Sequence, residues 1–204
     1  MSEKVMSRGT KLHGMGGFSK RQALGTKGLT LAGMLGALSI VLGMTPVGFI
    51  PLPSGIAATT MHIPTIMAAI VGGPITGVLV GLIFGVSSFV RATNPFFANP
   101  IVAILPRLFI GLASYYSYVG IRYFLESKLS VSEGKAKSTA IVIASVAGTA
   151  TNTIGVLSLI YLFGYMPLSF VLGIAATNGV AEMIASAVII LAVLKSLEKG
   201  GIFK

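Results

Sequence analysis

The residues best suited to bind a ligand lie between Arg91 and Gly111, in the stretch RATNPFFANPIVAILPRLFIG. This stretch places Arg91, Arg107, Asn94 and Asn99 beside a long apolar run. A charged side chain near the centre of a bilayer costs at least about 2.5 to 3.5 kcal/mol, so it usually faces the protein interior and serves a ligand, an ion or a partner charge. Arg107 is therefore predicted to face inward and to hold an anionic group.

Long apolar runs must position these side chains. The chain has 204 residues, of which 54% are hydrophobic and 10% charged, and several runs are long enough to cross a hydrocarbon layer of about 30 Å. The connections leave no room for a soluble domain of about 100 residues. We therefore predict an all-α integral membrane protein with a single bundle of six transmembrane helices. The predicted spans are 29–45, 56–72, 75–90, 100–125, 138–163 and 168–194.

Lysine and arginine are distributed unevenly along this predicted bundle. With both termini inside, the inner side holds six in the arm 1–28, four between Arg122 and Lys137, and three in the tail 195–204, which leaves Arg91 and Arg107 outside. Such a bias predicts cytoplasmic termini in a bacterial-type cell membrane. The net charge of +10 therefore reflects topology and gives no support to nucleic-acid binding. Three segments result: a basic arm 1–28, a membrane domain 29–194 and a cytoplasmic tail 195–204.

Motifs of the common enzyme classes are absent from the sequence. It contains no GxxxxGK[ST] loop, no HExxH, no GxSxG and no cysteine, so ATP hydrolysis by a phosphate-binding loop and thiolate chemistry are excluded. His13 and His62 fall in different predicted compartments, which argues against a shared metal site. We expect no catalytic residue, no metal and no cofactor.

Polar residues at helical spacing predict a pocket in the outer half of the bundle. At about 1.5 Å of rise per residue, Arg107 lies about 10 Å and Asn178 about 15 Å below the starts of their helices, with Glu182 about 21 Å down. A fixed positive charge with several amide donors suits a small anionic, hydroxyl-bearing solute. Alternatively, Arg107 pairs with Glu182, and the buried asparagines join helices. The predicted binding residues are Arg107, Asn94, Asn99, His62, Asn152, Asn178, Thr60 and Arg91.

Small residues four apart mark one face of the first span. Ala32 with Gly36, and Gly33 with Ala37, form overlapping small-xxx-small pairs of the kind that lets two membrane helices pack closely. The spacing alone is compatible with packing inside the bundle and with docking of a separate subunit.

Several stretches resemble the substrate-binding S component of energy-coupling factor (ECF) vitamin transporters over about residues 29–194. They are the first span with its small-residue pairs, the segment TPVGFIPLPSGIAATTMHIPTIMAAIVGGPITGVLVGLIFGVSS, the asparagine-rich loop and ILPRLFIGL. The stretches TPVGFIP, ATTMHIP and LPR are most similar to the pantothenate-type members. The resemblance implies the six-helix bundle of riboflavin- and thiamine-type S components, with both termini cytoplasmic and the vitamin site near the outer face.

The same resemblance implies partners and a role. S components work with a transmembrane coupling protein, EcfT, and two ATPases, EcfA and EcfA', so ATP hydrolysis would reside on other chains and this chain would not be an enzyme. In that family, small residues of the first helix contact the coupling protein, which assigns Ala32, Gly33, Gly36 and Ala37 to docking. Two alternatives stay open: an S component for cobalamin, riboflavin or a thiamine precursor, and a membrane-embedded enzyme or autonomous channel.

Overall fold

A computed structural model describes residues 25–50 and 58–201. Most of the predicted basic arm 1–28, and the last residues of the predicted tail 195–204, lie outside the described residues. The helices are α1 (Thr26–Met44), α2 (Ile63–Gly72), α3 (Pro74–Arg91), α4 (Pro100–Lys128), α5 (Glu133–Leu162), α6 (Leu168–Ile174) and α7 (Val180–Lys199). A π-helical turn, Ala175–Gly179, joins α6 to α7 into one long element.

Five of these elements are long and apolar enough to cross a membrane: α1, α3, α4, α5 and the continuous Leu168–Lys199. The prediction of an all-α membrane protein is confirmed, but the second predicted span, 56–72, is wrong at its start. The helix in this region, α2, begins only at Ile63 and has ten residues. Its length of about 15 Å covers half of the hydrocarbon layer. The residues before it form a short β-pair instead, in which Phe49 faces Thr59 and Ile50 faces Ala58.

Helix ends extend beyond the apolar runs that predicted them. The helix α4 continues to Lys128, α5 begins at Glu133, and the last helix reaches Lys199. An ion pair of Arg122 with Glu133, 2.8 Å long, joins the two neighbouring ends, and a second pair of Arg122 with Glu126, also 2.8 Å long, lies within α4. Hydropathy marks the part of a helix that lies in lipid, whereas backbone hydrogen bonding continues into the polar flank.

A glycine stripe on α3, formed by Gly77, Gly81 and Gly85 at intervals of four residues, packs against α4. A Cβ atom at Gly81 would lie 2.3 Å from the carbonyl oxygen of Arg107, and one at Gly77 would lie 3.0 Å from the Cα atom of Gly111. Small residues allow this approach because no side chain separates the two backbones. The stripe therefore brings the backbone of α4 against α3 at the level of Arg107.

The polar faces of the long helices are buried. Arg107, Ser114 and Tyr118 on α4 are at most 5% exposed, while Ser145 and Asn152 on α5 are also buried. The same holds for Asn178, Glu182 and Ser186 on the last long element. Large apolar side chains such as Met34, Val90 and Leu162 instead face outward, as expected of a surface in contact with lipid.

The two small-residue pairs of α1 separate onto different faces. Ala32 and Gly36 are buried, and a Cβ atom at Gly36 would lie 2.5 Å from the side chain of Ile83 on α3. Gly33 and Ala37 are exposed, and a Cβ atom at Gly33 would meet nothing within 4 Å. The small size of Ala32 and Gly36 therefore serves packing within the bundle, and docking of a coupling protein on the first helix stays a prediction.

Candidate ligand-binding site

A cavity of about 280 Å³ lies at one end of the bundle, where α1, α3 and α5 finish and α4 and α6 begin. Its wall combines buried polar side chains of α4, α5 and the π-turn with aromatic residues from the connections between helices. The lining residues are Phe49, Thr59, Met61, Phe84, Ser88, Arg91, Thr93, Asn94, Phe96, Phe97, Arg107, Asn152, Thr153, Val156, Leu157, Ile160, Met166, Ile174, Asn178 and Glu182.

Arg107 is the central cation of this cavity and is 3% exposed. Its Nη1 donates a hydrogen bond of 2.6 Å to the carbonyl oxygen of Val102. The guanidinium lies over the rings of Phe84 and Phe97, with its carbon 5.3 and 4.9 Å from their centroids. Its Nε is buried and has no hydrogen-bond partner among the described residues. The arginine is thus fixed in place, while its Nε makes no hydrogen bond to the described residues.

Glu182 lies in the same cavity, although the helical-rise estimate placed it deeper than the other polar groups. Its Oε1 accepts hydrogen bonds from the backbone N–H of Thr59 at 2.7 Å and from the Thr59 hydroxyl at 3.2 Å. Its Oε2 accepts one from Thr153 at 3.3 Å. Within residues 25–50 and 58–201, no ion pair joins Glu182 to Arg107. The alternative in which these two charges neutralise each other is therefore not the arrangement seen.

The short helix α2 explains how the cavity wall extends to Glu182. This helix is about 15 Å long, and its first residues, Ile63 and Pro64, are buried within the bundle. The residues just before α2 therefore also lie inside the bundle, where the backbone N–H of Thr59 donates to Glu182.

Three of the four predicted asparagines line the cavity: Asn94, Asn152 and Asn178. Asn152 is 7% exposed, and its Oδ1 has no partner among the described residues. Asn99 lies outside the lining, because its side chain caps α4 by accepting a 3.0 Å hydrogen bond from the N–H of Ile101. N-capping is a frequent role for asparagine at a helix start.

Arg91 reaches the cavity but also ties α3 to α1. Its Nη1 donates to the carbonyl oxygen of Gly43, its Nε to that of Ser87 at 3.3 Å, and its Nη2 contacts the Met61 sulfur at 3.2 Å. These contacts occupy the guanidinium more fully than the one hydrogen bond that Arg107 makes to the described residues. A bracing role accounts for Arg91, and its role in binding a ligand stays a prediction.

His62 and Thr60 are buried beside the cavity and do not line it. The Nε2 of His62 lies 3.1 Å from the Thr149 hydroxyl, which in turn lies 2.8 Å from the Ser186 hydroxyl. This buried chain links α2, α5 and α7. The hydrogen bond to Thr149 accounts for His62, and its role in binding a ligand stays a prediction.

The apolar part of the wall was missed by sequence reasoning. Val156, Leu157 and Ile160 at the end of α5 pack with Phe96 and Met166 from the connections in one cluster. Thr59 and Thr153 were missed as well. A stripe of apolar residues on a membrane helix gives no signal for a cavity, since lipid and core faces are both apolar. The helical spacing of Thr153 with Val156 and Ile160 was the available clue.

This arrangement can bind a small molecule that has an anionic end, hydrogen-bonding groups and an apolar part. Among the described residues, no cluster of His, Cys, Asp and Glu is suited to a metal ion. A buried cavity with converging polar groups is typical of small-molecule sites.

The comparisons with known proteins agree with this description. The family model described as "ECF transporter, substrate-specific component" matches residues 27–194. The chain belongs to this family. S components are substrate-binding subunits of transporters and are not themselves enzymes. This S component is also 30% identical over 172 residues to the pantothenic acid transporter PanT of Lactococcus lactis subsp. cremoris (strain MG1363), a match that covers 72% of this chain and 81% of the relative.

Proposed function

We propose that this S component captures pantothenate and that its uptake is driven by ATP hydrolysis on partner subunits. The observation that carries the proposal is the buried Arg107, whose Nε faces no acceptor among the described residues. A carboxylate is the natural partner for a desolvated guanidinium, because a planar fork of donors matches its two oxygens. The similarity to the pantothenic acid transporter supports the same ligand.

The rest of the cavity suits the remaining parts of pantothenate. Glu182 and the side-chain oxygen of Asn152 can both accept hydrogen bonds, which matches the ligand's hydroxyl and amide donors. Val156, Leu157 and Ile160 offer an apolar surface for its gem-dimethyl carbon. The volume of about 280 Å³ lies just below the range for small-molecule sites, about 300 to 1,000 Å³. This size favours a small vitamin over cobalamin.

We further propose a multi-pass arrangement in the cell membrane with both termini cytoplasmic, so that the cavity opens outward. The basic residues support it. Arg122, Lys128, Lys135 and Lys137 flank the junction of α4 with α5, at the end of the bundle opposite the cavity, and such residues concentrate on the cytoplasmic side. Family membership supports a complex with EcfT and the ATPases EcfA and EcfA'.

Binding by the purified protein is the direct test. We expect the chain to bind pantothenate by itself in detergent and to discriminate against riboflavin, thiamine and cobalamin. Tight binding of another vitamin with no measurable binding of pantothenate would overturn the assigned ligand while leaving the transporter role.

Replacing Arg107 tests the chemistry of recognition. Hydrogen bonds to charged groups contribute about 1.5 to 3 kcal/mol, so Arg107→Gln should weaken pantothenate binding by about ten-fold to more than a hundred-fold. Arg107→Lys should recover part of this loss because it restores the charge without the fork. Pantothenol, the alcohol analogue, lacks the carboxylate and should lose far less affinity. Equal losses for both ligands, or none, would show that Arg107 does not hold the carboxylate.

A further inference from the structure

A proline directly precedes the cavity arginine and lies inside α4. Proline has no backbone N–H, so Pro106 cannot donate the helical hydrogen bond to the carbonyl oxygen four residues earlier, that of Val102. Val102 is 0% exposed, and a buried carbonyl group without a donor is costly. The proline therefore creates a strong acceptor within the wall of the bundle.

The side chain of Arg107 satisfies that acceptor. Its Nη1 lies 2.6 Å from the carbonyl oxygen of Val102, which is the position that the missing N–H of residue 106 would have served. Helical side chains already lean toward the N-terminus of their helix, so the arginine reaches back by one turn toward the cavity end. Proline and arginine thus act as a pair, one freeing the carbonyl and the other using it.

The remaining contacts restrict the guanidinium to one plane and one edge. Phe84 and Phe97 lie against it, and Nη1 is engaged by Val102. The edge of the guanidinium that carries Nε remains available to a ligand, since Nε has no partner in the described part of the chain. Pro106 itself packs against α5, since a Cβ atom at Gly155 would lie 3.0 Å from its Cβ.

We propose that Pro106 is a positioning residue for ligand recognition, because the Val102 carbonyl that it frees orients Arg107 so that the Nε edge is presented to the ligand carboxylate. This proposal rests on the proposed function, in which Arg107 binds that carboxylate. In an uninterrupted helix, the N–H of residue 106 would occupy Val102, and Arg107 would lose its anchor and its fixed direction.

The test restores the missing N–H in the full chain. Pro106→Ala and Pro106→Val both supply it, and valine keeps bulk near Gly155, so agreement between them separates hydrogen bonding from packing. Pro100→Ala is the matched control, because Pro100 is the first residue of α4, where the N–H has no partner within the helix. Dissociation constants for pantothenate and pantothenol are measured on each purified variant, together with its melting temperature.

We expect both Pro106 variants to weaken pantothenate binding by about two- to ten-fold, the effect of one net hydrogen bond, with pantothenol unchanged. In the Arg107→Gln background, the Pro106 substitutions should cause no further loss, as expected for residues acting through one contact. Pro100→Ala should bind both ligands as the parent does. The ratio of the two affinities within one variant is insensitive to a loss of folded protein.

The two proposals fail in different ways. If Arg107→Gln selectively loses pantothenate while both Pro106 variants keep the parent's affinity ratio, the positioning role is wrong and the role of Arg107 stands. If the Pro106 variants weaken both ligands equally, or still weaken pantothenate binding without Arg107, Pro106 acts through packing alone and the inference is overturned. If Arg107→Gln shows no selectivity, the proposed recognition itself fails.

Discussion

At the scale of single residues, the cavity keeps two buried opposite charges apart. Arg107 is anchored to a carbonyl and two rings, while Glu182 accepts its hydrogen bonds from Thr59 and Thr153. A direct ion pair would neutralise both and leave less attraction for an anion. Because an uncompensated buried charge is costly, a bound carboxylate should stabilise the folded protein as well as fill the site.

Glu182 is expected to organise the wall of the cavity, since it holds the chain before α2. Glu182→Leu removes the acceptor of the Thr59 N–H, and an unsatisfied buried donor costs about 1 to 3 kcal/mol. We therefore expect a lower melting temperature and similar affinity losses for pantothenate and pantothenol. Glu182→Gln retains an acceptor and should lose less.

Thr153→Val serves as the control for Glu182, because it removes the longest of the three hydrogen bonds and should have the smallest effect. Tighter binding of pantothenate by Glu182→Leu, with pantothenol unchanged, would contradict this role. It would indicate that the carboxylate of Glu182 mainly repels the ligand.

At the scale of elements, the site depends on how closely α3 approaches α4. The glycine stripe sets that distance, and Gly81 lies directly against the backbone of Arg107. The arginine is therefore positioned from two sides, by the proline of its own helix and by the neighbouring helix.

Gly81→Ala should damage both stability and binding. The added Cβ would lie 2.3 Å from the carbonyl oxygen of Arg107, so the helices must separate, and overpacking of this kind typically costs about 1 to 3 kcal/mol. Gly120→Ala is the matched control, since a Cβ at that exposed helical position meets nothing within 4 Å. Thermal unfolding and pantothenate titration check both. Unchanged binding by Gly81→Ala would show that the helix spacing does not position Arg107.

At the scale of the whole molecule, function requires a defined orientation and a partner surface. The described loops at the cavity end and the ion-paired junction of α4 with α5 lie at opposite ends of the bundle. The charge distribution then predicts which end faces the outside.

Cysteine labelling tests the orientation, and the parent chain has no cysteine to interfere. A cysteine at the exposed Ala98, beside the cavity, should react with an impermeant maleimide added to intact cells. One at the exposed Ser132, between α4 and α5, should react only after the membrane is opened. The reverse pattern would invert the topology and place the cavity on the cytoplasmic side.

The two faces of α1 give distinct predictions for assembly. Gly33→Leu adds bulk on the exposed face and should preserve pantothenate binding while preventing co-purification with the coupling module. Gly36→Leu would clash with Ile83 and should lower the melting temperature of the isolated chain. Normal assembly and uptake by Gly33→Leu would remove this face from the proposed docking surface.

Sequence alone determined the class of the molecule and the direction of its polar faces. Apolar length, charge bias and helical spacing each follow from local chemistry, so the membrane helices, the glycine stripe and the inward-facing Arg107 and Asn178 could be predicted. The sequence motifs TPVGFIP, ATTMHIP and LPR also indicated the family.

Tertiary structure decided the relative depth of the elements and the choice of partners. The half-length of α2 brings Thr59 to Glu182 and buries His62, because depth depends on where each helix starts relative to its neighbours. The same limit applies to α1, where identical small-residue spacing produced a buried pair and an exposed pair. Spacing places a residue on a face of its helix, but the position of the neighbouring helix determines what that face meets.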